Sequence, residues 1–600
     1  MKKRVAWLII TCLMVAALVL GSCTPATPAT PTTPTTPTTP TTPTTPTTPE
    51  QPETPATVGP TYGGTINHYI EGYGGGKVDP YFFGKPDQEA TSFWAEKLII
   101  GDWAIDRNIM DYPTSTGRHE LKFKIGALAA SWEVLDNYTF LIHLREGSRF
   151  HNRPPVNGRE ITADDVEWNF RRYNESPFVD RQYQGFLESV TALDKYTVEF
   201  KMNAIVTDDL INNLIDATSM FILPKEIMGE DGTFDDWKMA VGSGPFFFTD
   251  FVPDSSLTFK RNPDYYRYDE IYPEMRLPYA DSVKIFVIVD ESTQQAALRT
   301  GKLDRLLAQF WIDGEALLQT NPELQYKDVE MSSLHVRARY GAEHYDDYRV
   351  RVAMNMGIDR EEILATYYGG YGDPYSSPIK PSMGDLYIPW EDLPDVAKYG
   401  DYSWKEVLTY DPERAKAILA EAGYPDGFKT NAVFRAGGNE TAIAEIFQSY
   451  MAAIGIDVEL RVVPSSTYNT IRFGQTHDQL IMHWNTTYSD PIQLFGQMYI
   501  VDHKFNLGVV DDPVFDKMYE VALAAQQARD AAALKEQVIA LQTYYFEMGY
   551  QISFPDGKAL TIWQPWLKGY SGEGDLGRFQ RGQLFARLWV DQELKKSLGH

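Results

Sequence analysis

Apolar and polar residues alternate along this chain with two periods, and the switches between them mark its elements. In "YTVEFKM", Tyr196, Val198, Phe200 and Met202 fall on one face and Thr197, Glu199 and Lys201 on the other, which predicts a strand with one buried face. "SVKIFVIVD" (282–290) is almost continuously apolar and predicts a strand buried on both faces. In "YDPERAKAILAEAGYPDGF", Asp411 is placed to cap a helix, Pro412 suits its first turn, and Gly423 supplies a left-handed stop. Ile443, Ile446, Phe447, Tyr450, Met451 and Ile454 then follow helical spacing up to Gly455, and Ile456, Val458, Leu460 and Val462 alternate as a strand. A short helix is expected after Pro464, and a strand at "QLIMHW" (479–484). This β-α-β alternation predicts a mostly parallel sheet within an α/β protein, and such sheets hold ligands at the carboxyl ends of their strands. Two loops qualify by that rule: "NTTYSDP" (485–491) and "AQFW" (308–311).

The same pattern separates the N-terminus from the body. Lys2, Lys3 and Arg4 precede a largely apolar run from Val5 to Leu20. As a helix the run spans ~24 Å, short of the ~30 Å hydrocarbon core and suited to a signal peptide. It ends in Leu20-Gly21-Ser22-Cys23, which resembles a bacterial lipobox, with Cys23 as the lipidated residue. Proline then recurs at every third position from Pro25 to Pro55, the period of polyproline II. Some thirty residues of it reach ~100 Å, a stiff spacer between a membrane surface and a folded body. Its threonines are compositionally suited to O-glycans.

About 540 residues remain, too many for one hydrophobic core, so two or three domains are expected. The chain carries 82 acidic and 55 basic residues, which argues against nucleic acid and against adhesion of the body to anionic lipid. Cys12 would leave with the signal peptide, so a mature body offers no free thiol for disulfides, iron–sulfur clusters or cysteine-ligated zinc. "EGYGGGKVDP" (71–80) fails the phosphate-loop spacing, because Glu71 and Val78 stand where a glycine and a hydroxyl belong. There is no G-x-S-x-G, no H-E-x-x-H and no calcium loop. The ten histidines are scattered, and neither His335 with His344 nor any other grouping has zinc-ligand spacing. His143, on a predicted strand opposite Phe140, Ile142 and Leu144, reads as structural. No catalysis, metal or cofactor is expected, although paired carboxylates distant in sequence leave a hydrolase open.

Six blocks, in order, carry a resemblance: "ALAASWEVLDNYTFLIHLREGSRFHNRPPVNGREITADDVEWNF", "VGSGPFFF", "FKRNPDYY", "ALRTGKLD", "YDDYRVRVAMNMGIDREEI" and "YDPERAKAILAEAGYPDGF". Within the first, Thr162 is placed to cap a helix and Asp165 to complete a capping box. From about Gly63 to Tyr570 the chain resembles the family 5 extracellular solute-binding proteins, the dipeptide- and oligopeptide-binding components of ABC importers. The resemblance implies a type II periplasmic-binding-protein fold: two α/β lobes joined by a hinge, with an additional inserted domain. Its implied layout is a signal peptide (1–22), a lipidated cysteine and linker (23–58), lobe I (59–95, 216–295 and 551–600), an inserted domain (96–215) and a further lobe (296–550). It further implies a monomer outside the cytoplasm, anchored to the cell membrane by its N-terminal lipid. A peptide or oligosaccharide would be captured between closing lobes and delivered to a membrane permease. The same fold also serves as a ligand sensor without transport.

One departure bears on the ligand. Peptide-binding members typically read Trp-x-x-Asp after a strand ending in tryptophan, and that aspartate pairs with the peptide's α-ammonium group. Here Trp484 is present, but the fourth position is Thr487, and a hydroxyl does not offset a buried ammonium. Either another acid serves, with Asp490 the nearest, or the ligand is not held by a free amine. Asp490 precedes Pro491, where an aspartate equally reads as a cap. Trp484 is a core residue or a cleft platform; Phe310 and Trp311 offer similar surfaces, and Tyr73 and Asn485 lie in loops near strand ends. Aromatic platforms with no amine anchor suit an oligosaccharide, or a peptide held by its backbone.

Overall fold

A computed structural model describes residues 59–72, 78–81, 85–112, 119–175, 184–230, 232–332, 334–484, 490–500, 503 and 505–600. Gly59–His600 forms a single compact unit. Its first sheet places Thr65–Ile70 parallel to Ser282–Val287, which continues antiparallel through Ser256–Arg261 to Phe246–Val252. A second, wholly antiparallel sheet joins Ala129–Asp136, Thr139–Leu144, Thr197–Met202 and Leu187–Ala192. In Thr197–Met202, Val198, Phe200 and Met202 are buried, as the alternation in the sequence requires.

One apolar core runs beneath both sheets, from Ile66 through Phe140 and Phe200 to Ile285, and the C-terminal residues Trp563, Trp566, Leu584 and Val590 complete it. The returning segment is fixed by charge as well as packing. Lys97 Nζ lies 3.2 Å from Asp216 Oδ1, Lys124 pairs with Asp216 Oδ2, and the Arg578 amide donates to Asp216 Oδ2 at 3.0 Å. The two ammonium groups hold the Asp216 carboxyl below its usual range despite burial. Gly242 and Gly244 in "VGSGPFFF" answer a steric demand. A Cβ would stand 2.3 Å from the Trp94 carbonyl oxygen at Gly242, and 2.6 Å from the Trp94 carbonyl carbon at Gly244.

Three antiparallel strands, Arg305–Phe310, Asp556–Trp563 and Gln325–Glu330, form a connecting sheet with its own small core of Leu306, Leu317, Leu560 and Ile562. Beyond it lies a five-stranded sheet in the order Ile456–Val463, Phe428–Arg435, Leu480–Trp484, Leu334–Ala338 and Ile552–Ser553. Helix Pro412–Glu421 is capped by the Asp411 side chain, and Gly423 turns left-handed at φ +100° after it. Helix Gly438–Ala453 ends before Gly455, whose φ is +92°.

Two expectations need correction. The sheet is mixed rather than mostly parallel. The two strands of the β-α-β pattern do run parallel, but Phe428–Arg435 lies between them, and Leu334–Ala338 and Ile552–Ser553 join antiparallel from distant segments. Periodicity reports which residues are apolar, not which strands meet. Ser282–Val287 buries only one face: Val283 and Ile285 are enclosed while Lys284 and Phe286 are half-exposed, and Val289 beyond the strand is open to solvent. Lys284 lies over the Phe286 ring at 5.1 Å, and Phe286 packs only half-buried against the small core that includes Leu298, Leu306 and Ile562. At Thr162 the half of the capping box on view is Asp165 Oδ2 accepting from the Thr162 amide at 3.0 Å, while Arg159 grips the same carboxylate with both terminal nitrogens.

Candidate ligand cleft

Phe310 ends the first strand of the connecting sheet, and helix Trp311–Thr320 starts at the next residue. This abrupt change leaves both rings half-buried at the margin of the core beneath the five-stranded sheet. Two tyrosines from the Tyr367-Tyr368-Gly369-Gly370-Tyr371 turn hold them there. The Phe310 and Tyr367 ring centroids are 5.3 Å apart, and Trp311 stacks on Tyr371 at 5.8 Å and 26°. Trp311 Nε1 donates to the Tyr367 carbonyl at 2.9 Å. Gly369, at φ +62°, makes that approach possible, since a Cβ would stand 2.4 Å from Trp311 Cζ2.

Trp484 reaches the margin of the same core from the end of Leu480–Trp484. Its Nε1 donates to Glu440 Oε1 at 2.9 Å, and Arg435 Nε donates to Glu440 Oε2 at 3.0 Å with Nη2 on Oε1 at 2.5 Å. Glu440 stands in the first turn of Gly438–Ala453 and is only 8% exposed. Tyr367 lies close enough for the Glu440 charge to act on its phenol, which burial first and that charge second push up to about 12. Phe310, Tyr367 and Trp484 thus border one core margin. Glu71, just past the first strand Thr65–Ile70, acts electrostatically on both Tyr69 and Arg435.

Asp490 has different neighbours. It caps Pro491–Tyr499: its Oδ1 accepts from the Ile492 amide at 2.6 Å and the Gln493 amide at 3.0 Å, and its Oδ2 accepts from Gln526 Nε2 at 2.5 Å. Burial raises its carboxyl above the usual range, and the carboxylate of Glu120 adds to the effect. Glu120 precedes the short strand Lys124–Gly126, which pairs with Ile99–Gly101. Its Oε2 lies 2.9 Å from Lys122 Nζ, and its Oε1 lies against Gly384, where a Cβ would be 3.1 Å away. Tyr73, Asn485, Thr487 and Cys23 lie outside the described residues, as does the linker.

Sequence reasoning missed the residues that hold the tryptophan. "FRAGGNE" (434–440) carried the signal, as a strand-ending arginine, a glycine pair and a glutamate three residues past the cap, where such a side chain folds back over the helix start. It also missed that His335 and His483 are register partners on adjacent strands. His335 Nδ1 contacts Gln551 Nε2 at 2.7 Å and His483 Nδ1 contacts the Tyr468 hydroxyl at 3.1 Å. Burial holds both imidazoles well below their usual pKa, with nearby arginines adding to it. Among the described residues no group of three or more His, Cys, Asp or Glu side chains is placed to hold a metal.

Comparison with known proteins bears on the family and the fold. A family model described as bacterial extracellular solute-binding proteins, family 5 Middle, matches residues 125–506. The chain is 27% identical over 480 residues to heme-binding protein A of Haemophilus influenzae, which covers 74% of this chain and 81% of that protein. It is 27% identical over 390 residues to di/tripeptide-binding protein 2 of Pseudomonas aeruginosa, covering 61% and 69% respectively. The solved structure of periplasmic binding protein DppA from Helicobacter pylori, in complex with the peptide STSA, superposes with a TM-score of 0.68 at 21% identity over 88% of this chain and 99% of that one. The fold is therefore the two-lobed α/β type II periplasmic-binding-protein fold.

Proposed function

Because the chain belongs to the bacterial extracellular solute-binding proteins of family 5, we propose that it is the lipid-anchored capture subunit of an ABC importer, taking short peptides between its lobes and passing them to a membrane permease. Family membership supports solute binding, and relatives that bind di- and tripeptides support the peptide. The observation that carries the reading is the half-buried aromatic margin of Phe310, Tyr367 and Trp484, with Glu71, just past the first strand, acting electrostatically on Arg435, the partner of Glu440. A ligand lying there touches both lobes at once, and such a ligand shifts the population toward the closed form. Lipid on Cys23 and the proline-rich spacer would keep the trap near its permease while leaving it free to swing.

The Thr487 hydroxyl leaves the peptide's amine without its customary partner. In this reading Asp490 takes that place only when a ligand cation arrives, since its oxygens already serve as a cap and accept from Gln526. The stacked Trp311–Tyr371 pair favours a second reading, an oligosaccharide laid along flat rings. Thermal unfolding of the full chain, with a di- to pentapeptide mixture or a malto- and cello-oligosaccharide series, separates the two. A ligand at a hundred times its Kd adds about 2.7 kcal/mol of stability and raises Tm. We expect the rise with peptides; a rise with sugars alone would select the second reading, and no rise with either would count against both.

A further inference from the structure

We propose that Glu440 is a positioning residue that fixes the plane of the Trp484 indole in the cleft, so that the indole meets a ligand by stacking alone. The inference rests on the reading that Trp484 lines the cleft. Three observations carry it. The indole N–H, the only polar group of that side chain, is committed to Glu440 Oε1 at 2.9 Å. Glu440 is 8% exposed, and a carboxylate so enclosed needs a counter-charge, which Arg435 supplies through two nitrogens at 3.0 and 2.5 Å. Glu440 itself is held at the start of a sixteen-residue helix, whose N-terminal amides favour a negative charge.

A half-buried tryptophan at a strand end has several staggered orientations, and the bond to a rigid acceptor selects one of them. With its N–H taken, Trp484 presents only its π-face. The groups that fit are flat or rich in C–H: an aromatic or proline side chain, or one face of a sugar ring. A carbonyl seeking a donor finds none on the indole itself. The charge of Glu440 is met by Arg435, so Glu440 does not itself draw a ligand cation into the cleft.

The test uses the full chain labelled with 5-fluorotryptophan, with the Trp484 fluorine resonance assigned by Trp484→Phe. In the unsubstituted chain and in Glu440→Gln, which keeps an acceptor for the indole, the resonance should be a single sharp line with a slowly exchanging indole proton. In Glu440→Ala it should broaden or split, and the indole proton should exchange about tenfold faster, the effect of losing one charge-assisted hydrogen bond. Circular dichroism of each variant separates loss of positioning from loss of folding. A sharp, protected signal in folded Glu440→Ala would overturn the proposal, as would a Glu440→Gln signal indistinguishable from that of Glu440→Ala. Neither readout requires a ligand. Broadening in Glu440→Ala therefore sustains the positioning role even if no peptide or sugar binds, and a sharp signal removes it even if one does.

Discussion

At the scale of residues, the aromatic candidates divide by what holds them. Trp484 is tied through Glu440 to Arg435, while Phe310 and Trp311 are held by a tyrosine-glycine turn. Trp484→Ala should cost about 2 kcal/mol of ligand affinity, the scale of a buried aromatic anchor, and titration calorimetry with whichever probe raises Tm would measure it. Asp490 combines a cap with a candidate charge, and substitution separates the two. Asp490→Ala should destabilise the fold by about 1 kcal/mol through the lost cap, whereas Asp490→Ser should retain most of that in denaturant titrations. If Asp490 also meets the ligand's amine, both variants should lose affinity for free-amine peptides and not for N-acetylated ones. A pH effect is expected elsewhere. Burial pushes the Asp575 carboxyl up to about 7, Glu89 adding to the rise and Arg581 opposing it, and Asp575 Oδ2 has no hydrogen-bond partner among the described residues. A carboxyl whose folded pKa lies above its unfolded value contributes stability that is full in acid and lost as pH rises toward 7. Asp575→Asn should therefore flatten the fall in Tm between pH 5 and 8.

At the scale of elements, hydrophobic period read the local structure well and the pairing poorly. Helix Pro412–Glu421 and strands Thr197–Met202 and Leu480–Trp484 were legible because a cap, a stop glycine or strict alternation fixes each from within. The antiparallel arrival of Leu334–Ala338 and Ile552–Ser553 was not, since register depends on contacts between residues 142 to 218 positions apart. The same limit hid most of the cleft. Glu440 and Tyr367 matter through what they touch, and only the Arg435-to-Glu440 spacing is local. Gly384 belongs to this scale as well. Its φ of +62° and ψ of −128° suit glycine alone, and a Cβ there would meet Glu120. Gly384→Ala should cost about 1–3 kcal/mol in denaturant titrations.

At the scale of the whole molecule, the chain's family was legible because six blocks fall in order, and the fold followed from the family. The ligand was not legible, because the position that would have announced a peptide's amine carries Thr487. The anchoring claim rests on sequence and has its own test: Cys23→Ser should move the protein from the membrane fraction to the soluble fraction and abolish its labelling by fatty acid. The central claim, that this is a trap for a short peptide, is most directly tested by native mass spectrometry of the full chain purified without refolding. An adduct is expected that leaves on denaturation and fragments into a ladder of amino-acid masses, with less of it retained by Trp484→Ala. A ladder of hexose masses, or an adduct retained unchanged by Trp484→Ala, would contradict that claim.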